Sequence, residues 1–465
     1  MAKRLMPIGI DDMACFIPKL YLDIKDLAIQ RDISYEKLAH GLGLYKMSLP
    51  DVHEDAATMA AEAVAELIER NQLDPRRIGR LYFGTESALD MAKPTGTYTI
   101  EMLEQRFAPQ YGKGCFRHCD VLDMTFACIG AVDALHNTID WVASNPDQIG
   151  IVVAGDVAKY ELGSTGEYTQ GAGAVAMLVK AHPRLLAVRN LFGVATESVH
   201  DFFKPRREKF TETPVFDGQY SNWCFQNRMN EALDDFRQKA IASGLFRADQ
   251  YKALSERWAR LIFHLPYAFH ARRMFVERYL NELKLSGKWD NFAKANQLSE
   301  PKNEQFSDTK AYEKAYAGFL KSLSESKKYK LFVAEKLEKA QRASQETGNL
   351  YTGSILMALM STLECDLQEG KPLNGKRLGF VAYGSGSKSK VFEGTLQPGW
   401  EQVAQNFGVF KKLSQRRALH YEQYEKLHRH ELDVSIDWMT GRWGLERIGT
   451  EGVTLGARYY GIKAG

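Results

Sequence analysis

The sequence predicts an α/β protein in which one layered unit occurs twice. Apolar, β-rich runs alternate with stretches of helical periodicity. Glycine-rich turns close several of those runs. The order strand, small-residue helix start, strand, glycine-rich turn then returns in the second half of the chain. Identity between the halves is negligible, so the expectation rests on element order alone.

Each element has its own local reason. A helix is expected from about Glu54 to Arg70, which is rich in Ala, follows the cap-like Asp51 and stops before Asp74-Pro75. The strand Arg80 to Phe83 closes on Gly84-Thr-Glu-Ser87, and Asp120 to Thr125 reads as a short buried strand. Cys128, Val132, Leu135, Ile139 and Val142 recur at spacings of four and three, the signature of an amphipathic helix that starts at the thiol. The strand Ile149 to Ala154 ends at Gly155-Asp156, and a Gly-rich run extends from Gln170 to Val179.

In the second half, a helical stretch over 246–260 leads into the strand Leu261 to Pro266. An apolar helix from Thr352 to Leu363 begins with Gly353 and Ser354, and the strand Leu378 to Ala382 opens onto Tyr383-Gly-Ser-Gly-Ser387. The segment 279–345 is rich in Lys, Glu, Ser and Asn and reads as an exposed helical excursion, a solvated face in preference to a lid or partner surface. A helix from Glu422 to Leu432 and a hairpin from Gly441 to Ile462 complete the chain.

With 465 residues and 45% apolar content the chain can bury a large core. Lys+Arg 61 against Asp+Glu 58 leaves a formal +3, too balanced for a nucleic-acid footprint or an anionic membrane partner. The six cysteines show no pairing pattern, and Cys115-x3-Cys119 has no second pair at zinc-type spacing, so no metal is expected. The start, Met1 to Pro7, has no long apolar core, which argues against a signal peptide or membrane span and fits a reducing cytoplasm.

Thr125-Phe126-Ala127-Cys128-Ile129-Gly130-Ala131 places one thiol between a β-rich run and a periodic helix. At a helix N-terminus, free N–H groups and the positive dipole end favour the thiolate, the reactive form. Cys128 is therefore the candidate nucleophile, although most free cysteines are small buried hydrophobes. Ligands of α/β sheets bind at carboxyl ends of strands. Those positions hold Glu86, Cys128 and Asp156 in one half and His264, Asn349 and Ser385 in the other. A nucleophile, a carboxylate and an imidazole are what thioester chemistry requires.

Ten blocks stand in the order of a known family: Gly9-Ile-Asp11, Gly84-Thr-Glu-Ser87, Ala127-Cys128, Gly155-Asp-Val-Ala-Lys-Tyr160, Thr169-Gln-Gly-Ala-Gly-Ala-Val-Ala176, Asp201-Phe-Phe-Lys-Pro205, Asp217-Gly218, Phe263-His-Leu-Pro-Tyr267, Gly348-Asn-Leu-Tyr-Thr-Gly353 and Tyr383-Gly-Ser-Gly386. In these blocks the chain resembles the 3-hydroxy-3-methylglutaryl-CoA synthases of the thiolase-like superfamily over most of its length. The resemblance implies a thiolase-like fold, internally duplicated as α/β/α/β/α layers. The nucleophile half would span 1–185, and the histidine half 186–465 with the insertion at about 279–345.

It implies condensation of acetyl-CoA with acetoacetyl-CoA through an acetyl-cysteine, giving 3-hydroxy-3-methylglutaryl-CoA for mevalonate and isoprenoids. Carried over by motif, Cys128 is the acyl carrier, Glu86 the general acid/base and His264 the group that orients and polarises acetoacetyl-CoA. Asp156, Thr169, Asp217, Asn349, Tyr351 and Ser385 are supporting residues. Arg272 and Arg273 would meet CoA phosphates, and N–H groups of Cys128 and of the turn 384–386 would form an oxyanion hole. CoA thioesters are substrates, no cofactor is expected, and the family implies a homodimer.

The chain departs from the family pattern at Ile129 and Val132, at Tyr168, at Phe269-His270 in place of a lysine, and in the length of the charged excursion. These departures leave open whether the acceptor rides on CoA or on an acyl carrier protein, as in polyketide β-branching. A ketoacyl synthase or thiolase is disfavoured by Glu86 and by the helical context of Cys365. A non-enzymatic relative would have no need of Cys, Glu and His together.

Overall fold

The computed structural model describes residues 6–205 and 212–465, so Met1 to Leu5 of the amino-terminal expectation lie outside the described residues. Ten strands form one sheet. In chain order they are β1 (Ile8–Phe16), β2 (Ile78–Gly84), β3 (Asp120–Met124), β4 (Ile149–Ala158), β5 (Gly171–Ala181), β6 (Leu186–Val188), β7 (Gly193–Thr196), β8 (Arg260–Phe263), β9 (Arg377–Gly384) and β10 (Lys388–Leu396). The spatial order is β8-β9-β10-β6-β1-β5-β4-β2-β3, with β7 paired to β10.

The duplication is visible in the pairing. β2 and β4 are parallel, β5 is antiparallel to β4 and to β1. In the second half β8 and β9 are parallel, and β10 is antiparallel to β9 and to β6. The halves join where β1 and β6 pair, Gly9 opposite Ala187.

Four helices position the layers: α1 (Ala56–Arg70), α2 (Gly130–Ser144), α3 (Gly218–Ala242) and α4 (Ser354–Gln368). α2 packs on the first-half strands and α4 on β8, and every residue of α4 from Ser354 to Asp366 is buried. Together they form the inner layer. α1 covers the other face of the first half with a separate Ala-rich core, and α3 covers β7 and β10. The result is the α/β/α/β/α stack of the thiolase-like fold.

Several local expectations change. α1 is capped by Asp55, which shares a reciprocal box with Thr58. Asp51 instead accepts from the N–H groups of Ile436 and Asp437, pinning the C-terminal segment. The run at Asp120 is an edge strand, with Leu122 43% exposed, because β2 is its sole partner in the sheet. Of the stretch 246–260 only Leu254–Arg257 is helical. β4 runs on to Ala158 and so takes Asp156 into the strand.

The charged region is not simply solvated. Its helices Trp289–Asn296, Thr309–Glu325, Lys327–Lys336 and Glu338–Thr347 bury Phe292, Phe319, Leu323, Tyr329 and Val333, and the last packs on α4. Polar residues hid a helical face whose apolar positions are few but large. The terminal helix spans Tyr421–His428, and the hairpin forms from Trp443–Ile448 and Arg458–Ile462. Among the described residues no helix is long and apolar enough to cross a membrane.

Candidate active site

Cys128 lies on a tight turn two residues before α2 begins, not within the helix. Ala127 takes a φ of 38° there, a left-handed conformation that costs a residue with a Cβ roughly 1 kcal/mol. Glycines on both sides make room. A Cβ on Gly84 would stand 2.3 Å from the backbone N of Ala131, and one on Gly384 would meet Ile129 and the Phe126 carbonyl at 2.7 Å. The end of β9, from the second half, thus lies against the cysteine turn.

The second half repeats the device. Tyr351 has a φ of 42°, followed by Thr352, Gly353 and the first residue of α4, as Ala127 is followed by Cys128, Ile129 and the first residue of α2. Thr352 therefore occupies the position that Cys128 holds in the first half.

The Cys128 thiol donates to Glu86 Oε1 at 2.8 Å, and both residues are buried. Tyr160 and Tyr351 enclose the sulfur together with Ala158, and Phe202 and Phe216 pack on the outside. Burial first, then the Glu86 charge, hold the thiol well above its ordinary range, so the resting group is the thiol and not the expected thiolate. The helix dipole is outweighed because the sulfur is desolvated beside a carboxylate. Burial also pushes Glu86 up to about 7. Near neutral pH the thiol therefore keeps its proton while Glu86 beside it titrates.

Asp156 is the hub. Its Oδ1 accepts from the Glu86 N–H at 2.8 Å, from Thr85 Oγ1 at 3.0 Å and from Ser87 Oγ at 3.1 Å. Oδ2 accepts from the Thr352 N–H at 3.0 Å and from its hydroxyl. One carboxylate on β4 thereby fixes the Glu86 loop of one half to the Thr352 turn of the other. Burial raises its pKa, and these donors oppose that shift. Thr352→Val is expected to cost about 1–3 kcal/mol by leaving Asp156 short of a donor. It should lower the midpoint of urea unfolding, and an unchanged midpoint would remove Thr352 from the network.

His264 follows β8, 3% exposed. Ser354 Oγ accepts from the Leu265 N–H at 2.7 Å and lies 2.9 Å from His264 Nδ1. That contact fixes the orientation of the ring, and its direction follows the ring tautomer. Burial pulls the imidazole down to about 3, so His264 is a neutral donor at working pH.

The other expected residues divide. Asn349 Oδ1 accepts from the Tyr351 N–H at 2.8 Å, and its own N–H donates to the Thr169 carbonyl at 2.9 Å, which ties Thr169, Asn349 and Tyr351 to the site. In the turn 384–386, Ser385 follows Gly384, which packs against Ile129 and the Phe126 carbonyl on either side of Cys128 in sequence. Of that turn, Gly386 N–H is committed to Asp201 Oδ1 at 2.7 Å, whereas the N–H groups of Cys128 and Ser385 donate to no group among the described residues.

Asp217 is not in the cluster. It is exposed and caps α3, accepting from the N–H groups of Gln219 and Tyr220. Arg272 is taken up by Gln341 and the face of Phe269, and burial lowers its pKa, while Arg273 is exposed beside Tyr267.

Residues without an expected role also appear. Asp201 fixes the turn through Gly386 and the Tyr383 hydroxyl at 2.7 Å, Ser354 orients His264, and Lys204 Nζ donates to the Glu86 carbonyl at 3.0 Å. Asp201 and Lys204 stand in the block Asp201–Pro205. Position in a block gave them no role, since their partners are distant in sequence.

The fold and its buried cysteine turn are those of a thiolase-like condensing enzyme. Two family models match, "Hydroxymethylglutaryl-coenzyme A synthase N terminal" over residues 4–183 and its C-terminal counterpart over 186–435. The chain belongs to the hydroxymethylglutaryl-CoA synthase family. It is 32% identical to the hydroxymethylglutaryl-CoA synthase of Haloferax volcanii, over 93% of this chain and 94% of that one, and 29% identical to that of Enterococcus faecalis over the same shares. Among solved structures it resembles MvaS in complex with 3-hydroxy-3-methylglutaryl coenzyme A, at 28% identity and a TM-score of 0.79 over 98% of this chain and 99% of that one.

Proposed function

We propose that the chain condenses acetyl-CoA with acetoacetyl-CoA to give 3-hydroxy-3-methylglutaryl-CoA, with Cys128, Glu86 and His264 in the reacting roles. The observation that carries the assignment is the 2.8 Å contact between Cys128 Sγ and Glu86 in a buried cluster at the junction of the halves. Its setting in a family whose solved relatives hold 3-hydroxy-3-methylglutaryl-CoA or CoA supports CoA thioesters as substrates.

Glu86 takes the thiol proton as sulfur attacks the acetyl carbonyl, and the departing CoA thiolate takes a proton back. The acetyl oxygen is stabilised by the N–H groups of Cys128 and Ser385. Glu86, ionised again, removes a methyl proton, and the resulting carbon attacks the ketone of acetoacetyl-CoA. The His264 ring N–H hydrogen-bonds the ketone oxygen as charge develops there, and the proton that Glu86 took from the methyl group passes to that oxygen to give the 3-hydroxyl. Water then cleaves the thioester to Cys128 and releases the product. Asp156, Thr169, Asn349 and Tyr351 hold these groups in place, and no cofactor enters the scheme.

Because Glu86 works as a base and burial holds it at about 7, its active, ionised form gains with pH. Turnover should rise roughly tenfold per unit below pH 7 and level off above it. A profile flat from pH 5.5 to 8 would exclude Glu86 as the titrating base.

The two halves meet at 185/186 in this reading, and the setting is a cytoplasmic homodimer, for which the open edge of β3 offers a surface. A neighbour of 20% identity, the curacin pathway HMG synthase bound to donor-ACP, shares the fold alone. Purified protein given acetyl-CoA and acetoacetyl-CoA should form hydroxymethylglutaryl-CoA, identified by mass. Acetyl-Cys128 without consumption of free acetoacetyl-CoA would move the acceptor to a carrier protein.

A further inference from the structure

The strands Phe202–Phe203 and Val215–Phe216 form a two-stranded ribbon outside the main sheet. Phe202 and Phe216 dock edge-on against Tyr160, at 6.3 and 5.2 Å between ring centres, and Phe202 also meets Tyr351 at 5.9 Å. Asp201, fully buried at its root, holds Gly386, Tyr383 and Ser221. Lys204 follows at once. Its ammonium donates to the Glu86 carbonyl and lies 5.2 Å from the Tyr351 ring centre. Aromatic docking and a buried carboxylate thus fix the backbone that places the Lys204 ammonium between the Glu86 loop and the Tyr351 ring.

The groups facing the couple are Glu86 from the loop after β2, Asp156 from β4, Tyr160 beyond it, Tyr351 before α4 and Lys204 from the ribbon. Two of them are carboxylates, one with five donors already in place. The thiol keeps its proton at rest, yet acetylation passes through sulfur carrying negative charge. Low dielectric makes that charge costly unless a cation stands close.

We propose that Lys204 is the counter-charge of the Cys128–Glu86 couple, seated beside the paired strands Phe202–Phe203 and Val215–Phe216 so that sulfur can become anionic as its proton passes to Glu86 Oε1. This rests on Cys128 being the acetylated residue. Lys204 bonds to no reacting atom; it acts through the field it sets, and burial is opposed at both Cys128 and Glu86 by that field.

The test follows Cys128 alkylation by iodoacetamide from pH 6 to 10, read on the Cys128 peptide by mass, in the wild type, Lys204→Met and Lys204→Arg. Lys204→Met should slow alkylation across this range and delay its rise with pH, and Lys204→Arg should return the profile close to wild type. The acetylation rate with acetyl-CoA should fall in Lys204→Met more at pH 7 than at pH 9. An unchanged alkylation profile in Lys204→Met, with unfolding midpoints matched, overturns the proposal. So does a rise in KM for acetyl-CoA alone, which would make Lys204 a CoA contact. Alkylation needs no substrate, so it reports on Lys204 even if acetyl-CoA is not used, a result that would sink the functional reading and not this one.

Discussion

Cys128→Ser is expected to eliminate the acetyl-enzyme and to lower turnover by on the order of 10⁴-fold or more. A serine hydroxyl at the same turn would still face Glu86, but an alkoxide is far less accessible than a thiolate, and burial penalises it further. The left-handed Ala127 and the close-packed glycines tolerate the swap, because serine is no larger than cysteine. The folded state should therefore survive, and the loss can be assigned to chemistry. Intact-protein mass after rapid quench with acetyl-CoA measures it. An acetyl adduct forming at the normal rate would show that another residue is the carrier.

Glu86→Gln should abolish condensation, with no hydroxymethylglutaryl-CoA detectable, and should also slow acetylation by on the order of 10²–10⁴-fold. Sequence motifs alone assign the glutamate to general acid/base work on the acetyl methyl group. The 2.8 Å hydrogen bond from Cys128 adds the thiol proton to its duties, so both half-reactions are expected to suffer. The glutamine amide keeps the shape of the side chain but cannot accept a proton to carry away. Single-turnover acetylation and steady-state condensation separate the effects. Acetylation at the wild-type rate would confine Glu86 to the second step, and near-normal condensation would remove it from the reaction.

What the sequence shows is chiefly local. Strand and helix order, the cysteine turn and the positions of Glu86 and His264 can all be read from periodicity, glycine placement and motif order. The pairing of β1 with β6, which joins the halves, cannot be read, since it links residues far apart through backbone bonds that leave no compositional mark. Asp51 and Asp55 are equally good caps on paper, and only the return of the chain at Ile436 decides between them. The protonation of Cys128 was misjudged because helix dipoles are evident in sequence, whereas desolvation by Tyr160 and Tyr351 is a property of the assembled core. Thr352 was hidden for a further reason. The repeat preserves the geometry of its turn and changes the residue.

That repeat has one more consequence. The duplicated turns differ in what they carry, one holding the Cys128 thiol against Glu86 and the other securing Asp156. Because Asp156 is held from both sides, neither half can keep a competent Glu86 loop when the other loosens. Catalytic competence is therefore a property of the cooperative whole. A chain loosened in either half would retain every one of these residues and lose the arrangement that Asp156 holds, so activity is expected to fall no later than global unfolding.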